Sequence, residues 1–295
     1  MHHQSTQDLS VSVEPTQSGT ALTPDDVTAV ILAGGKGTRI REQLPDLPKP
    51  LAPIRLQEGD SVTEKPFLDW QLRYLAGQGI RRVVLSTGYL AEKVADYVNQ
   101  TDLTPLSVCC VPEPEPLGTG GGFLQATQQC PSAWQSATKA WLVLNGDSLI
   151  VADYAPLWQS VDVSITGTIL GVKMAEASRF GTLRWDTQEM LTEFAEKQAG
   201  VGVINSGVYL FTPRAVKGFP NQLPLSFEYD VFPALLQQGK KIKVIAVQAP
   251  FIDIGTPATL GQAGAFIEQH FCNYSEERKQ RRRFKTKSSG TTSLG

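Results

Sequence analysis

Val27-Thr28-Ala29-Val30-Ile31-Leu32-Ala33, followed by Gly34-Gly35-Lys36-Gly37-Thr38-Arg39 and then Leu47-Pro48-Lys49-Pro50, is the stretch that decides the fold. Its first seven residues are apolar or β-branched and do not alternate. That pattern fits a strand covered on both faces, as in a parallel sheet under helices. Three glycines follow within four residues. Glycine permits positive φ and a close approach of ligand to main chain. A loop of this kind turns several N–H groups toward one concavity, which suits a phosphate. Lys36, Arg39 and Lys49 add three cations nearby. Lys49 stands between two prolines, which predicts extended backbone and a fixed side-chain origin. The stretch reads as a triphosphate site. A plain strand-to-loop turn would account for the glycines but not for the cations. Neither the Walker loop nor the dinucleotide G-x-G-x-x-G pattern fits.

The order Leu-Ala-Gly-Gly-x-Gly-Thr-Arg and then Pro-Lys-Pro resembles the signature of the sugar-1-phosphate nucleotidyltransferases. Residues 45–54 (Pro-Asp-Leu-Pro-Lys-Pro-Leu-Ala-Pro-Ile) are most similar to the heptose-1-phosphate and mannose-1-phosphate guanylyltransferases. The resemblance implies Leu32, Ala33, Gly34, Gly35, Gly37 and Thr38 as nucleotide contacts. It implies Arg39 and Lys49 as the catalytic cations on the triphosphate.

Composition agrees. The chain has 295 residues, 41% hydrophobic and 19% charged, which reads as a soluble globular protein. No apolar run approaches the ~20 residues of a membrane helix, and no signal-peptide core opens the chain. A cytoplasmic protein without membrane insertion is expected. The four cysteines lack C-x-x-C spacing, and Cys109-Cys110 read as buried thiols. The three histidines are His2, His3 and His270, near the two ends. Histidine-dependent triads and histidine–metal sites are therefore disfavoured. Catalysis is left to carboxylates, cations and backbone. Net charge is −2, with +5 carried by residues 276–295. The basic run 278–287 raises nucleic-acid binding as a rival reading. A solvated tail accounts for it better, and no nucleic-acid partner is expected.

Along the chain, residues 1–26 are polar, aperiodic and expected to be disordered. One domain is expected over 27–271, followed by a basic tail at 272–295. Helical spacing at 67–75 after Pro66, ending at Gly77 and Gly79, alternates with strands at 81–86 and 106–111 and a helix at 91–98. That β-α-β-α-β order predicts an α/β fold, with a doubly wound, mostly parallel, Rossmann-like sheet of glycosyltransferase-A type. Ligands in such sheets bind beyond the carboxyl ends of the strands. Residues 112–122 read as a stiff Pro/Glu segment and a glycine loop before a helix at 123–129. By the resemblance, Gly118 and Thr119 contact the nucleoside.

Asn145-Gly146 between apolar runs is a hairpin signal. The alternative is a parallel strand ending in Asp147, and the resemblance favours that carboxylate as a ligand of Mg²⁺, the expected cofactor. Mg²⁺ takes one or two carboxylates with phosphate oxygens. Asp253 lies in an apolar strand where a carboxylate is disfavoured. Thr256 and Pro257 suffice to start the next helix, so Asp253 reads as a site residue, and the resemblance makes it the second metal ligand. The half from 163 to 211 reads as hairpin-rich, with strands at 180–185 and 190–194. There the resemblance implies Gly181, Glu196, Lys197 and Asn205 as sugar-phosphate contacts. A surface pair at 196–197 and a bulge at 205–207 are the plain alternatives. Ser226 is expected to cap a helix in which Tyr229 stands where relatives usually carry Lys.

The expected activity is transfer of a nucleotidyl group from NTP, GTP favoured, to a sugar 1-phosphate, releasing pyrophosphate. A non-catalytic nucleotide-sugar sensor on the same fold is the alternative, and a homo-oligomer is compatible with the composition.

Overall fold

The computed structural model describes residues 21–58, 61–162, 164–195 and 199–272. The apolar run at 27–33 is strand β1 (Val27–Ala33), buried almost throughout. Its side chains alternate between two cores. Val27, Ala29 and Ile31 enter one, and Val30 enters the other, across the sheet. Both faces are dry, so no polar alternation appears in the sequence.

A hairpin follows, β2 (Pro53–Glu58) with β3 (Ser61–Pro66), leading into helix α1 (Phe67–Gln78). Gly79 ends α1 at φ 99°. Then come β4 (Arg82–Thr87), α2 (Ala91–Gln100), β5 (Ser107–Pro112), α3 (Gly118–Gln129), α4 (Ser132–Ala137) and β6 (Ala140–Asn145). Strands β5, β4, β1 and β6 lie side by side and parallel. β1 has β4 on one side and β6 on the other, so the winding reverses between β1 and β6. That reversal opens a crevice at the ends of the two strands. Ala33 and Asn145 end these strands, so the glycine loop and Asp147 meet at the crevice.

The second half is the short strand β7 (Ser148–Ile150), α5 (Ala155–Gln159), β8 (Ile165–Met174), β9 (Thr182–Trp185), β10 (Leu191–Ala195) and β11 (Gly202–Phe211). It closes with α6 (Pro213–Val216), α7 (Phe232–Gln237), β12 (Lys241–Val247), β13 (Phe251–Asp253) and α8 (Pro257–Phe266). β9 and β10 form the expected hairpin, and β11 runs antiparallel to β6, β8 and β9. The nine-stranded sheet is therefore mixed, parallel on the nucleotide side and chiefly antiparallel on the other. The α/β, Rossmann-like class holds.

Of the two readings of Asn145-Gly146, the favoured one holds: β6 is a parallel strand that ends before Asp147, and β7 leaves it to pair with β13. Three local expectations are corrected. Lys49 does not run extended. It opens a 3-10 turn (Lys49–Leu51) closed by Leu51 N–H to Pro48 O, 2.8 Å, and Ala52 N–H to Lys49 O, 3.0 Å. The glycines at 118–122 are the first turn of α3, not a loop. Gly120 and Gly121 donate to the Leu225 carbonyl at 2.8 and 3.2 Å, so tertiary contact occupies N–H groups that the helix leaves open. Cys109 and Cys110 are half-buried on the edge strand β5 rather than fully buried. Burial still pushes their thiols up to about 12 and about 11. At the start of the chain, residues 23–26 are held in place. Thr23 and Asp26 cap a short turn, and Asp26 pairs with Lys139 at 2.8 Å. Among the described residues no helix is long and apolar enough to cross a membrane.

Candidate active site

The crevice is a cavity of about 560 Å³ between the ends of β1 and β6. Leu32 to Lys36 form one wall, Glu113, Pro116, Gly118 and Thr119 another, and Asn145, Gly146 and Asp147 a third, with Lys49 and Pro50 beside them. The residues that the sequence implied as nucleotide contacts at 32–35 and 118–119 all face this space. Gly37, Thr38 and Arg39 do not line it, and Arg39 is exposed. Lys36 does line it.

Lys49 Nζ stands 2.8 Å from Asp147 Oδ2, with both side chains partly buried. The 3-10 turn aims the ammonium, and the end of β6 presents the carboxylate. Gly146 makes the approach possible. Its N–H donates to Leu32 O at 3.0 Å, and a Cβ there would lie 2.5 Å from the same oxygen. Asp147 is held from a second side by Ile254 N–H to its carbonyl, 2.9 Å. The β7–β13 ladder sets Asp253 opposite Ser148, one residue along from Asp147. Burial, reinforced by the nearby Asp147 charge, raises the pKa of Asp253. Its Oδ1 accepts one bond, from Gly255 N–H at 2.6 Å. Two carboxylates that repel each other under partial burial form a donor set suited to a hard dication.

Asp253 also borders a second cavity, of about 320 Å³, with Arg179, Phe180 and Phe251. Gly181 adjoins that wall, and its carbonyl accepts from Asn205 N–H at 2.9 Å. The Asn205 side chain is committed at both ends. Oδ1 accepts from Gly207 N–H at 3.0 Å, while Nδ2 donates to Tyr209 Oη at 2.7 Å and Glu228 Oε1 at 3.3 Å. The Gly207 bond lies within the β11 bulge, and the other two tie the bulge to Tyr209 and to the 227–231 turn. Glu196 and Lys197 lie outside the described residues. Ser226 caps the 227–231 turn as expected, and Tyr229 is 85% exposed.

Glu113 is a wall residue that the sequence motifs did not single out. Its Oε1 accepts from Ser86 Oγ at 2.9 Å and its Oε2 from Leu117 N–H at 3.2 Å. The signal available was a carboxylate locked between Pro112 and Pro114. Thr119 Oγ1 accepts from Phe227 N–H at 3.0 Å, and Gly118, at φ 78°, leaves no room for a Cβ against Leu225 O. The wall of α3 is thereby fastened to the 225–227 segment.

A crevice at the reversal of a parallel sheet, walled by a glycine loop, a lysine and acidic side chains, belongs to an enzyme that handles a nucleotide's phosphates. Comparison with known proteins gives that class its family. A model described as nucleotidyl transferase matches residues 28–270, and the chain belongs to this family. It is 34% identical to D-glycero-alpha-D-manno-heptose 1-phosphate guanylyltransferase of Campylobacter jejuni subsp. jejuni, over 78% of this chain and 95% of that one. It is 32% identical to the Mycobacterium tuberculosis mannose-1-phosphate guanylyltransferase, over 78% of this chain and 62% of the relative. The crystal structure of HddC from Yersinia pseudotuberculosis complexed with GMP-PN matches with a TM-score of 0.66 and 30% identity, over 81% of this chain and 98% of that one. The protein is a sugar-1-phosphate nucleotidyltransferase.

Proposed function

We propose that the protein transfers a guanylyl group from GTP to a manno-heptose or mannose 1-phosphate, yielding the GDP-sugar and pyrophosphate. The observation that carries this reading is the Lys49–Asp147 contact at the mouth of the crevice, with Asp253 alongside. An oxygen of the sugar phosphate attacks the α-phosphorus. The bond to the bridging oxygen of the β-phosphate breaks, and pyrophosphate departs with that electron pair. The nucleophile is already an anion, so the chain supplies no general base. Its work is positioning and charge stabilisation.

The glycine loop and Lys36 hold the triphosphate. Lys49 neutralises Asp147 in the free protein and is within reach of phosphate oxygens when substrate enters. Asp147 and Asp253 would hold Mg²⁺. Among the described residues no three His, Cys, Asp or Glu side chains gather, and two carboxylates suffice where phosphate oxygens complete the shell. The bound ion would spread the charge that builds on the phosphates. Arg39 reaches the triphosphate from its exposed position, and Asn205 shapes the acceptor side through the bulge. Glu113 offers carboxylate lone pairs to the base. Guanine presents two adjacent donors, N1–H and the exocyclic amine, and a carboxylate accepts both.

The test is pyrophosphate release from GTP, dTTP, UTP, CTP and ATP against several sugar 1-phosphates with Mg²⁺. Release that needs both substrates and is fastest with GTP and a manno-configured acceptor supports the reading. Tight GDP-sugar binding with no release in any pair refutes it.

A further inference from the structure

Helix α1 presents Gln71, Tyr74 and Gln78 at spacings of three and four, so the three share one face. All three are buried, at 1%, 3% and 1% exposure. They stitch one continuous piece of chain. Tyr74 Oη and Gln78 Nε2 both donate to the Ala152 carbonyl, the latter at 3.0 Å, and Gln78 Oε1 accepts from Tyr154 N–H at 3.2 Å. Gln71 grips the same piece further upstream. Its Nε2 donates to Asn145 O at 2.9 Å and to Ser148 O at 2.8 Å. Those two carbonyls bracket Asp147.

Gln71 differs from Gln78 in one respect. Its Oε1 is buried without a partner among the described residues. An unpaired buried acceptor is destabilising, because the desolvation of the group goes uncompensated. The reverse amide orientation would set Oε1 against two carbonyls, so the observed one is the only one that bonds. A side chain that gives both donors to the turn carrying the carboxylate, at the expense of its own acceptor, is placed for that turn. Gly146 N–H to Leu32 O, Ile254 N–H to Asp147 O and the Gln71 amide hold the turn from three sides. Only the last is a side chain and can be altered alone.

We propose that Gln71 is a positioning residue. It fixes the Asn145–Ser148 turn so that the Asp147 carboxylate stands ready for the metal and the triphosphate. This rests on the reading of Asp147 as a metal ligand. Residues that orient a ligand in this way typically change metal affinity or activity by 10–100-fold when removed.

The experiment compares wild type with Gln71→Met, Gln78→Met and Asp147→Asn. Gln71→Met keeps the length and loses both donors. Gln78→Met removes the matching amide two turns away, at Ala152. Mn²⁺ affinity is read by electron paramagnetic resonance with a GTP analogue whose α,β bridge cannot be cleaved. Thermal midpoint, kcat and the KM for GTP are measured alongside. Gln71→Met is expected to weaken Mn²⁺ binding about tenfold or more and to lower kcat, with the GTP KM within about twofold. Gln78→Met is expected to lower the thermal midpoint and leave Mn²⁺ affinity unchanged. If Gln71→Met only lowers the midpoint, or both methionine variants weaken Mn²⁺ equally, Gln71 is a structural clip and the inference is overturned. If Asp147→Asn binds Mn²⁺ like wild type, the metal reading itself falls, and the inference falls with it. Should Gln71→Met not fold, Gln71→Asn, one methylene shorter, keeps the amide without its reach and is held to the same outcome.

Discussion

Gly146→Ala isolates the contact that seats the acidic turn. The added Cβ would stand 2.5 Å from Leu32 O, 3.1 Å from Leu32 C and 3.3 Å from Ala33 Cα. All three atoms are backbone at the end of the central strand, so none can swing aside. Ordinary contact requires the turn to retreat by roughly 0.5–1 Å. Overpacking of this kind costs about 1–3 kcal/mol, or a fall in thermal midpoint of about 2–4 °C for each kcal/mol. The fold survives that. The chemistry does not, because Asp147 is the next residue and moves with the turn. A misplacement near 1 Å costs on the order of 100-fold in rate, equivalent to about 2.7 kcal/mol of transition-state stabilisation. The assay is pyrophosphate release at saturating GTP and sugar 1-phosphate, run well below the variant's melting transition. A folded Gly146→Ala protein with kcat within twofold of wild type would refute the claim that the β1–β6 contact sets the carboxylate.

Asp253→Asn should nearly abolish turnover yet raise the thermal midpoint at pH 7. Burial and Asp147 raise the folded pKa of Asp253, so its ionised form penalises the folded state increasingly as pH climbs past the ordinary carboxylate value. The gain should therefore shrink on acidification toward pH 4, and a lower midpoint at pH 7 would contradict the assignment of strain to this carboxylate. Glu113→Gln should narrow the preference for GTP over ATP by about tenfold, since one acceptor that the proposed reading offers to guanine becomes a donor; an unchanged ratio of kcat/KM would remove Glu113 from base recognition. Arg39→Lys should lower kcat/KM for GTP by roughly tenfold, because a point charge does not replace a planar fork on phosphate. Full activity in that variant would leave Arg39 an exposed bystander.

Much of the site was legible because its parts are local. A glycine loop after a strand, a lysine between prolines and a carboxylate after Asn-Gly each occupy a few residues, and their types state their chemistry. The apolar run at 27–33 likewise declared a strand with two dry faces. The alternation of β and α segments through residue 112 predicted the parallel half. Local rules also fell short. Asn145-Gly146 left a hairpin and a strand end equally open by local chemistry, and the pairing of β7 with β13 decides for the strand end. The glycines at 118–122 read as loop because nothing nearby in sequence announces the Leu225 carbonyl that completes their helical turn. Asn205, implied as a sugar contact with a bulge as the plain alternative, bonds Gly207, Tyr209 and Glu228, partners the local sequence does not announce as a set.

The sequence by itself determined most of the groups that line the candidate site, because charge, acidity and glycine's freedom belong to residues wherever they sit. It left undetermined which of those groups stand together. Lys49 and Asp147 are 98 positions apart, and Gln71 reaches a turn 74 positions away. Those meetings follow from strand order and from helix α1 lying within hydrogen-bond reach of the turn. Contacts at such separation carry no periodic or local trace in the chain, so tertiary structure alone decided them.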